Sequence, residues 1–187
     1  PVSILTHLSQ ARALAPPFGV REAVLADIPA LIDLENRCFD LDRLSLRNFQ
    51  YLLTKGNAAT LAAFDGKRLL GYAMVLFNAG TSLARLYSFA VDPGLRRQGV
   101  GLALLKAAED AARSRNSMYL RLEVRHDNTD ALRLYRKSGY RDLGLIEDHY
   151  EDHSSALQME KSLARRLAPE RARVPYYPQT LDFTCGP

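Results

Sequence analysis

Hydrophobic and polar residues recur with two different periods along this chain, and the changes of period predict its elements. Segments of alternating or continuous apolar character bounded by turn residues predict strands. The predicted strands cover residues 19–24, 58–64, 69–77, 83–91, 119–125, 141–146 and 156–161. Apolar residues at helical spacing predict four helices, which follow Asp27, Ser45, the glycines at 99 and 101, and Asn128.

This order of elements predicts the fold class. Two helices follow the first strand, three antiparallel strands come next, and a helix, a strand, a helix and two strands complete the order. We therefore expect an α/β protein of the α+β kind, with a mixed and mostly antiparallel sheet of about seven strands and helices on both faces. The Asp65-Gly66 pair is a strong signal for a hairpin turn between the second and third strands.

Two segments have a clear apolar face. In the helix over 102–113, the predicted core face holds Val100, Leu102, Leu104, Leu105, Ala108 and Ala112, while Lys106, Glu109, Asp110 and Arg113 are expected mostly outside it. In the strand over 119–125, Leu120, Leu122 and Val124 point one way, and Arg121, Glu123 and Arg125 point the other. Glu123 is thus predicted to be near a strand end on a polar face.

The loop over 96–101, Arg-Arg-Gln-Gly-Val-Gly, lies between a predicted strand and a predicted helix. Backbone N–H groups at a helix start lack intrahelical partners, and glycines let a phosphate approach them closely. The loop lacks the first glycine of a dinucleotide-binding fingerprint, and no Gly-Lys-Ser/Thr follows as in a Walker loop. It indicates an anion site, although a tight strand-to-helix connection alone has the same composition.

Composition and charge exclude several other functions. Residues 161–173 hold five basic residues against one acidic residue, which accounts for the whole formal net charge of +4, so a nucleic-acid platform is not expected. No apolar run reaches membrane-spanning length, and no leader pattern is present. Cys38 and Cys185 form no disulfide framework, and neither they nor the four histidines show metal-ligand spacing. We expect no metal and a reducing, cytoplasmic location.

The loop and the segment after it resemble a known family. Arg96, Gly99 and Gly101 fill the Gln/Arg-x-x-Gly-x-Gly/Ala pattern of the GCN5-related N-acetyltransferases (GNAT). The run from Leu122-Glu123-Val124-Arg125 through Asn128 to Leu134-Tyr135 and Gly139-Tyr140 resembles the ribosomal-protein-alanine N-acetyltransferase branch, and the agreement spans about residues 19–163. The resemblance implies the GNAT acyl-CoA N-acyltransferase fold, in which two central strands splay apart to form a cofactor cleft.

The resemblance also implies roles for particular residues. Glu123 matches the general base and Tyr135 the general acid. The cosubstrate is expected to be acetyl-CoA, held by Phe89, Ala90, Val91, Arg96, Arg97, Gln98, Gly99, Val100, Gly101, Leu102 and Asn128.

The chemistry requires such groups whatever the family. Acetyl transfer needs a neutral amine, whereas an α-amine has a pKa near 8 and a lysine near 10.4, so a base must take a proton. A carboxylate at Glu123 can do so, directly or through water, and the Tyr135 hydroxyl can protonate the departing thiolate. Backbone N–H groups near Val91 can polarise the thioester carbonyl. Each residue also fits a plain structural role, Glu123 as one charge in a mixed row and Tyr135 as a core aromatic.

The acceptor is less well specified. The leading hypothesis is the α-amine of a protein or peptide, with ribosomal protein as one candidate, and the segments expected to contact it are residues 44–47 and the acidic turn over 147–153. A small amine is the alternative within the same chemistry. A CoA-binding regulatory module without turnover is a further alternative.

The chain is expected to contain one well-formed domain over residues 18–163, preceded by a poorly ordered lead-in over 1–17. Residues 164–187 form a basic linker followed by a segment that resembles the opening of a bacteriocin-processing type cysteine peptidase domain. By that resemblance, Gln179 would help form an oxyanion hole and Cys185 would be the nucleophile, with their partners beyond Pro187. An ordinary tail with one thiol is the alternative.

Overall fold

The computed structural model describes residues 18–164, which form one sheet covered by helices on both faces. The elements in chain order are β1 (Gly19–Glu22), α1 (Ile28–Cys38), α2 (Leu46–Thr54), β2 (Ala58–Asp65), β3 (Arg68–Phe77), β4 (Leu83–Val91), α3 (Val100–Ser114), β5 (Tyr119–Arg125), α4 (Thr129–Lys137), β6 (Arg141–Ile146) and β7 (Ala156–Ser162). The predicted order and fold class are confirmed. The peptidase-like segment with Gln179 and Cys185, and the lead-in, lie outside the described residues.

The seven strands are ordered β1-β2-β3-β4-β5-β7-β6. Every neighbouring pair is antiparallel except β4 and β5, which are parallel and are connected through α3. The last hairpin therefore inserts β7 between β5 and the edge strand β6.

Two hydrophobic clusters lie on opposite faces of the sheet. On one face, Leu31 and Leu34 of α1 and Phe49 of α2 pack against Tyr72 and Met74 of β3, all with no exposed surface. The other face carries the larger cluster, in which α3 and α4 cover the inner residues of β2 to β5 and β7. Because α1 packs mainly on β3 and β4, and α2 on β2, the helices of residues 18–164 leave the polar residues of β5 and β7 on that face largely uncovered.

The helix starts follow the predicted capping chemistry in two cases out of three. The Ser45 hydroxyl accepts a hydrogen bond from the N–H of Asn48 (3.2 Å) at the start of α2, and Asn128 Oδ1 accepts from the N–H of Ala131 (3.2 Å) at the start of α4. Asp27 was expected to cap α1, but its carboxylate accepts from the N–H of Val24 (2.8 Å) and pairs with Arg21 (2.7 Å) instead. It caps the single 3-10 turn that precedes α1.

Two residues of α3 are placed differently from the prediction. Leu102, expected on the core face, has a relative exposure of 58%. Glu109, expected outside, is 5% exposed. Its carboxylate accepts from Lys161 Nζ of β7 at 2.7 and 2.8 Å, and helical periodicity cannot reveal a cation that arrives from a distant strand.

A bulge in β4 changes which side chains face which helices. Met74 of β3 is opposite Ser88 while Val75 is opposite Leu86, so Tyr87 is the extra residue. Before the bulge Leu86 faces α3. After it Phe89 packs with the α3 cluster, and Ser88 bonds with Tyr72 on the α1 side. Strict alternation would have put Phe89 on the opposite face.

Candidate active site

A cleft begins where β4 and β5 part. The two strands pair only from Leu83 with Tyr119 to Leu86 with Leu122, although β4 continues to Val91 and β5 to Arg125. Beyond Leu86 the β4 backbone therefore has no strand partner on the β5 side. This is the splayed pair of strands that the family resemblance implied.

Glu123 is the first β5 residue beyond the last β4–β5 pair. Its neighbours Leu122 and Val124 belong to the α3 cluster, so the carboxylate faces the opposite, α1 side of the sheet. The structure thus puts the predicted base at the mouth of the cleft, on the face that helices leave uncovered.

The Glu123 carboxylate is held by two side chains that the sequence did not reveal. Arg85 Nε of β4 donates to Oε2 at 2.8 Å, and Gln158 Nε2 of β7 donates to Oε1 at 3.0 Å, while the Glu123 side chain is only 10% exposed. Each oxygen keeps a lone pair for a further donor. Register explains both neighbours, since Glu123 is directly opposite Gln158, and Arg85, which is opposite Arg121 in the paired part of β4 and β5, is diagonal to Glu123.

Tyr135 lies in α4 on the other face of the sheet. It is 5% exposed, and its ring makes edge contacts with Phe89 (centroids 6.1 Å apart) and Tyr140 (5.7 Å). Burial, and then the nearby Tyr150, raise the pKa of the Tyr135 hydroxyl well above its ordinary value. The group therefore stays protonated at neutral pH and can donate a proton.

Two loops meet over the cleft on the Glu123 side: the α1–α2 loop (residues 39–45) and the β6–β7 loop (residues 147–155). Burial raises the pKa of Tyr150 to about 12; the Arg125 guanidinium opposes this rise, and the Glu123 and Asp42 carboxylates add to it. The carboxylates of Glu123 and Asp42 are thus near enough to Tyr150 to affect its pKa. The Arg125 guanidinium also lies over the ring of Tyr150, with its Cζ 5.2 Å from the ring centroid.

The conformation of these loops is unusual for the residues they contain. Asp42, Asp148 and His153 have positive φ (55°, 53° and 63°), as does Arg97 before α3 (65°). Such conformations are uncommon outside glycine and concentrate where a fold must aim a particular group. Four of the five positive-φ residues other than glycine among residues 18–164 therefore lie in the α1–α2, β6–β7 and β4–α3 connections.

The β4–α3 loop (residues 92–99) fits an anion. Gly99, the N-cap of α3, has φ 85°, and a Cβ built on it meets no atom within 4 Å, so the loop faces open space there. The backbone N–H groups of Val100, Gly101 and Leu102 donate to no acceptor in residues 18–164. Free N–H groups at the positive end of a 15-residue helix are a suitable cradle for a diphosphate.

The first turn of α3 lies directly against the end of β4. A Cβ on Gly101 would be 3.7 Å from Val91 Cγ2 and 3.8 Å from Phe89 Cζ. The diphosphate cradle and the unpaired β4 backbone are therefore continuous, as a ligand with a phosphate end and an acyl end requires. Ala90 faces away, into the α1 cluster, and can take part only through its backbone.

The remaining predicted cofactor residues surround this cradle. Arg97 reaches Asp130 at the start of α4 (3.5 Å), with its side chain 80% exposed. The Asn128 oxygen is used in capping α4, which leaves its amide N–H groups for a ligand. The contacts of Arg96, Gln98 and Asn128 with the cosubstrate stay predictions.

Comparison with known proteins identifies the family. The model of the GNAT acetyltransferase family matches residues 28–140, and the chain belongs to that family. It is 30% identical over 151 residues to an uncharacterised N-acetyltransferase of Methanocaldococcus jannaschii, a match that covers 80% of this chain and 95% of that protein. It is 29% identical over 163 residues to an N-alpha-acetyltransferase of Sulfurisphaera tokodaii (78% and 93% covered).

A solved structure agrees. The ribosomal-protein-S18-alanine N-acetyltransferase of Escherichia coli superposes with a TM-score of 0.71 at 25% identity, covering 82% of this chain and 97% of that one. The protein is therefore an N-acetyltransferase of the GNAT family, whose members generally use acetyl-CoA.

The described residues contain neither a metal-binding cluster nor a membrane-spanning helix. Within residues 18–164, no three His, Cys, Asp or Glu side chains are grouped so that they could hold a metal ion. None of the helices in the described part of the chain has the length and apolar character needed to cross a membrane.

Proposed function

We propose that this enzyme transfers the acetyl group of acetyl-CoA to the α-amine of a protein or peptide, with Glu123 as base and Tyr135 as acid. The main support is the position of Glu123, which lies at the mouth of the parted strands on the uncovered face. Tyr135 lies on the cofactor face, next to Phe89. The base and the acid thus approach the cleft from opposite sides.

The residues of the cleft suit acetyl-CoA. The N–H groups of Val100, Gly101 and Leu102 would bind the diphosphate, and the unpaired backbone from Phe89 to Val91 would hold the pantetheine and acyl portions. When bound, acetyl-CoA supplies the activated acetyl thioester. A backbone N–H near Val91 would donate to the carbonyl oxygen and stabilise the charge that develops there.

The positions of Glu123 and Tyr135 on opposite faces of the sheet assign each of them one proton transfer. Glu123 accepts a proton from the acceptor ammonium, directly or through water, which frees the amine lone pair to form the new C–N bond. The C–S bond breaks and the Tyr135 hydroxyl donates its proton to the departing sulfur, while the second proton of the attacking nitrogen leaves through water and restores the Tyr135 hydroxyl. Arg85 and Gln158 fix the orientation of the Glu123 carboxylate, so that its remaining lone pairs face the incoming amine.

The two loops above Glu123 favour a cationic, extended acceptor. The α1–α2 loop brings Asp42, and the β6–β7 loop brings Tyr150, into the surroundings of Glu123. A carboxylate attracts an ammonium group, and a tyrosine hydroxyl can bond a peptide backbone. The similarity to an N-alpha-acetyltransferase and to a ribosomal-protein-alanine N-acetyltransferase supports a protein N-terminus as acceptor, with a ribosomal protein as one candidate.

The test is acetyl-CoA consumption with three sets of acceptors. One set is peptides that differ in their first two residues, the second is the same peptides with a blocked α-amine and a free lysine, and the third is polyamines and aminoglycosides. Mass spectrometry locates the acetyl group. We expect turnover with free α-amines only, and turnover confined to small amines would overturn the proposal. Binding of acetyl-CoA without any turnover would indicate a regulatory module.

A further inference from the structure

Glu35, on the last turn of α1, is a buried carboxylate that the chemistry above does not use. It is 1% exposed, and its bonded partners are neutral groups. Burial raises the pKa of this carboxyl, while bonds from the Leu44 N–H and the Tyr72 hydroxyl oppose the rise. Burying a carboxylate is costly, so we look for its role in the groups that Glu35 bonds.

One oxygen of Glu35 holds the α1–α2 loop. Oε1 accepts from the backbone N–H of Leu44 at 2.8 Å, at the point where the chain turns back toward α2. The next residue, Ser45, caps α2 through Asn48. The bond therefore fixes the C-terminal end of the loop, two residues from Asp42.

The other oxygen of Glu35 holds the sheet. Oε2 accepts from the Tyr72 hydroxyl of β3, and that hydroxyl is 2.7 Å from Ser88 Oγ of β4. Ser88 follows the bulge and precedes Phe89, so it belongs to the part of β4 that lines the cleft. A continuous chain of hydrogen bonds thus joins the α1–α2 loop to the cleft strand.

This chain matters because of what the loop presents. Asp42 has φ 55°, and its carboxylate, like that of Glu123, raises the pKa of Tyr150. Any shift of the loop relative to β4 moves Asp42 relative to Glu123. The buried Glu35 carboxylate, bonded through both of its oxygens, keeps Asp42 and Glu123 in a fixed relative position.

We infer that Glu35 is a positioning residue for the acceptor, which fixes the α1–α2 loop against β4 through Leu44, Tyr72 and Ser88. The inference rests on the proposed function, since it assigns the loop to acceptor binding. Glu35 touches neither the acceptor nor acetyl-CoA. Its effect is transmitted through the loop backbone.

Glu109 provides the matched control. It is also buried (5% exposed), but it bonds Lys161 and Arg113 and fastens α3 to β7, away from both loops. Glu35→Ala and Glu109→Ala each remove one buried carboxylate. Only the first frees the α1–α2 loop.

The experiment compares the two alanine variants with Glu35→Gln. Acceptor KM and kcat are measured with the best peptide, the acetyl-CoA Kd by titration, and amide hydrogen exchange over residues 39–45 by mass spectrometry. For Glu35→Ala we expect an acceptor KM about tenfold higher, the size of one lost charge-assisted hydrogen bond. We also expect faster exchange in the loop and an acetyl-CoA Kd within about twofold of wild type. Glu35→Gln should restore the KM, because its amide can accept from Leu44 and donate to Tyr72.

Three results would decide against the inference or against its basis. Equal KM changes in the Glu35 and Glu109 variants would show general destabilisation, and an acetyl-CoA Kd that rises with the acceptor KM would show a role in the cofactor site; either result overturns it. Should wild type acetylate no peptide, the proposed function fails, while loop exchange still decides whether Glu35 holds the loop. If Glu35→Ala does not fold, Tyr72→Phe removes the hydroxyl that joins Glu35 to Ser88, and the same quantities are measured on that variant.

Discussion

The proposed cofactor side and the proposed acceptor side of the cleft are built in different ways. The cofactor side is one continuous stretch, from Phe89 at the end of β4 to Leu102 in α3, and it offers mainly backbone N–H groups. The acceptor side combines the α1–α2 loop and the β6–β7 loop, which are about a hundred residues apart in the chain, and it offers side chains.

The difference explains what each side can specify. Backbone groups at a helix start bind any diphosphate, so a short pattern with two glycines is enough to mark the site. Side chains on separate loops can be exchanged one at a time, so the same scaffold accepts different amines. Asp42 and Tyr150 are therefore the positions at which to look for acceptor preference.

Glu123→Gln should give the largest effect, because the acceptor side then lacks its base. We expect kcat to fall by about 10² to 10⁴ with acetyl-CoA binding unchanged. Steady-state rates and acetyl-CoA titration measure both quantities. Glu160→Gln is the control, since Glu160 is a carboxylate on the same face that Arg121 holds at 2.7 Å, farther from the cleft mouth. Equal losses in the two variants would contradict the assignment of the base.

Gly99→Val should damage the cofactor side alone. A β-branched residue at φ 85° costs about 1–3 kcal/mol and re-aims the N–H groups of the loop. We expect acetyl-CoA to bind about 10- to 100-fold more weakly. Gly66→Val is matched, because Gly66 also has positive φ (55°) and open space but lies in the β2–β3 turn. Thermal unfolding separates strain from binding, and weaker binding in both variants would rule out a specific cradle.

Tyr135→Phe tests the proposed acid, which lies on the cofactor face next to Phe89. We expect kcat to fall about tenfold, less than for Glu123 because water can replace a proton donor, with the acetyl-CoA Kd nearly unchanged. Since burial raises the pKa of Tyr135, its deprotonation should not limit the rate between pH 7 and about 9. Tyr140→Phe is the control, as this buried ring contacts Tyr135 at 5.7 Å. A rate unchanged by Tyr135→Phe would remove the acid.

Asp92→Asn should give the smallest effect, and on stability. Asp92 joins the two sides, because its carboxylate pairs with Arg37 of α1 (2.7 Å) and accepts from the N–H of Gly94 (3.0 Å) in the β4–α3 loop. Its two arginine partners, Arg37 and Arg68, are both partly exposed, so we expect the free energy of unfolding to fall by only about 1 kcal/mol at pH 7.

The pH dependence of that loss has a defined sign. The bond from Arg37, and then those from Gly94 and Arg68, hold the pKa of Asp92 below its usual value. Its contribution is therefore present above the unfolded pKa, near 3.9, and is lost as the pH falls through the folded pKa. Denaturant unfolding at pH 7 and at about pH 3 measures this, and Asp33→Asn, at an exposed partner of Arg37, is the control. A loss of equal size at both pH values would contradict the electrostatic account.

Local patterns predicted most of the fold. The bounds of β6 agree with the prediction, and β7 extends one residue further, because turn residues and alternation mark such strands within a few residues of sequence. The capping roles of Ser45 and Asn128 were readable for the same reason. The prediction was wrong for Leu102, which is exposed, and for Glu109, which is buried because Lys161 of β7 pairs with it.

The sequence by itself determined the family and the order of elements, and it predicted the diphosphate loop and the candidate pair Glu123 and Tyr135, since each depends on residues close together in the chain. Only the tertiary structure decided which side chains surround Glu123. The pairing register of β5 with β7 brings Gln158 opposite Glu123, and the pairing of β4 with β5 brings Arg85 diagonal to it. The bulge at Tyr87 determines that Phe89 faces the cofactor side and Ser88 faces Glu35 through Tyr72. Register and bulges are properties of paired strands, so they are settled only when the whole sheet forms.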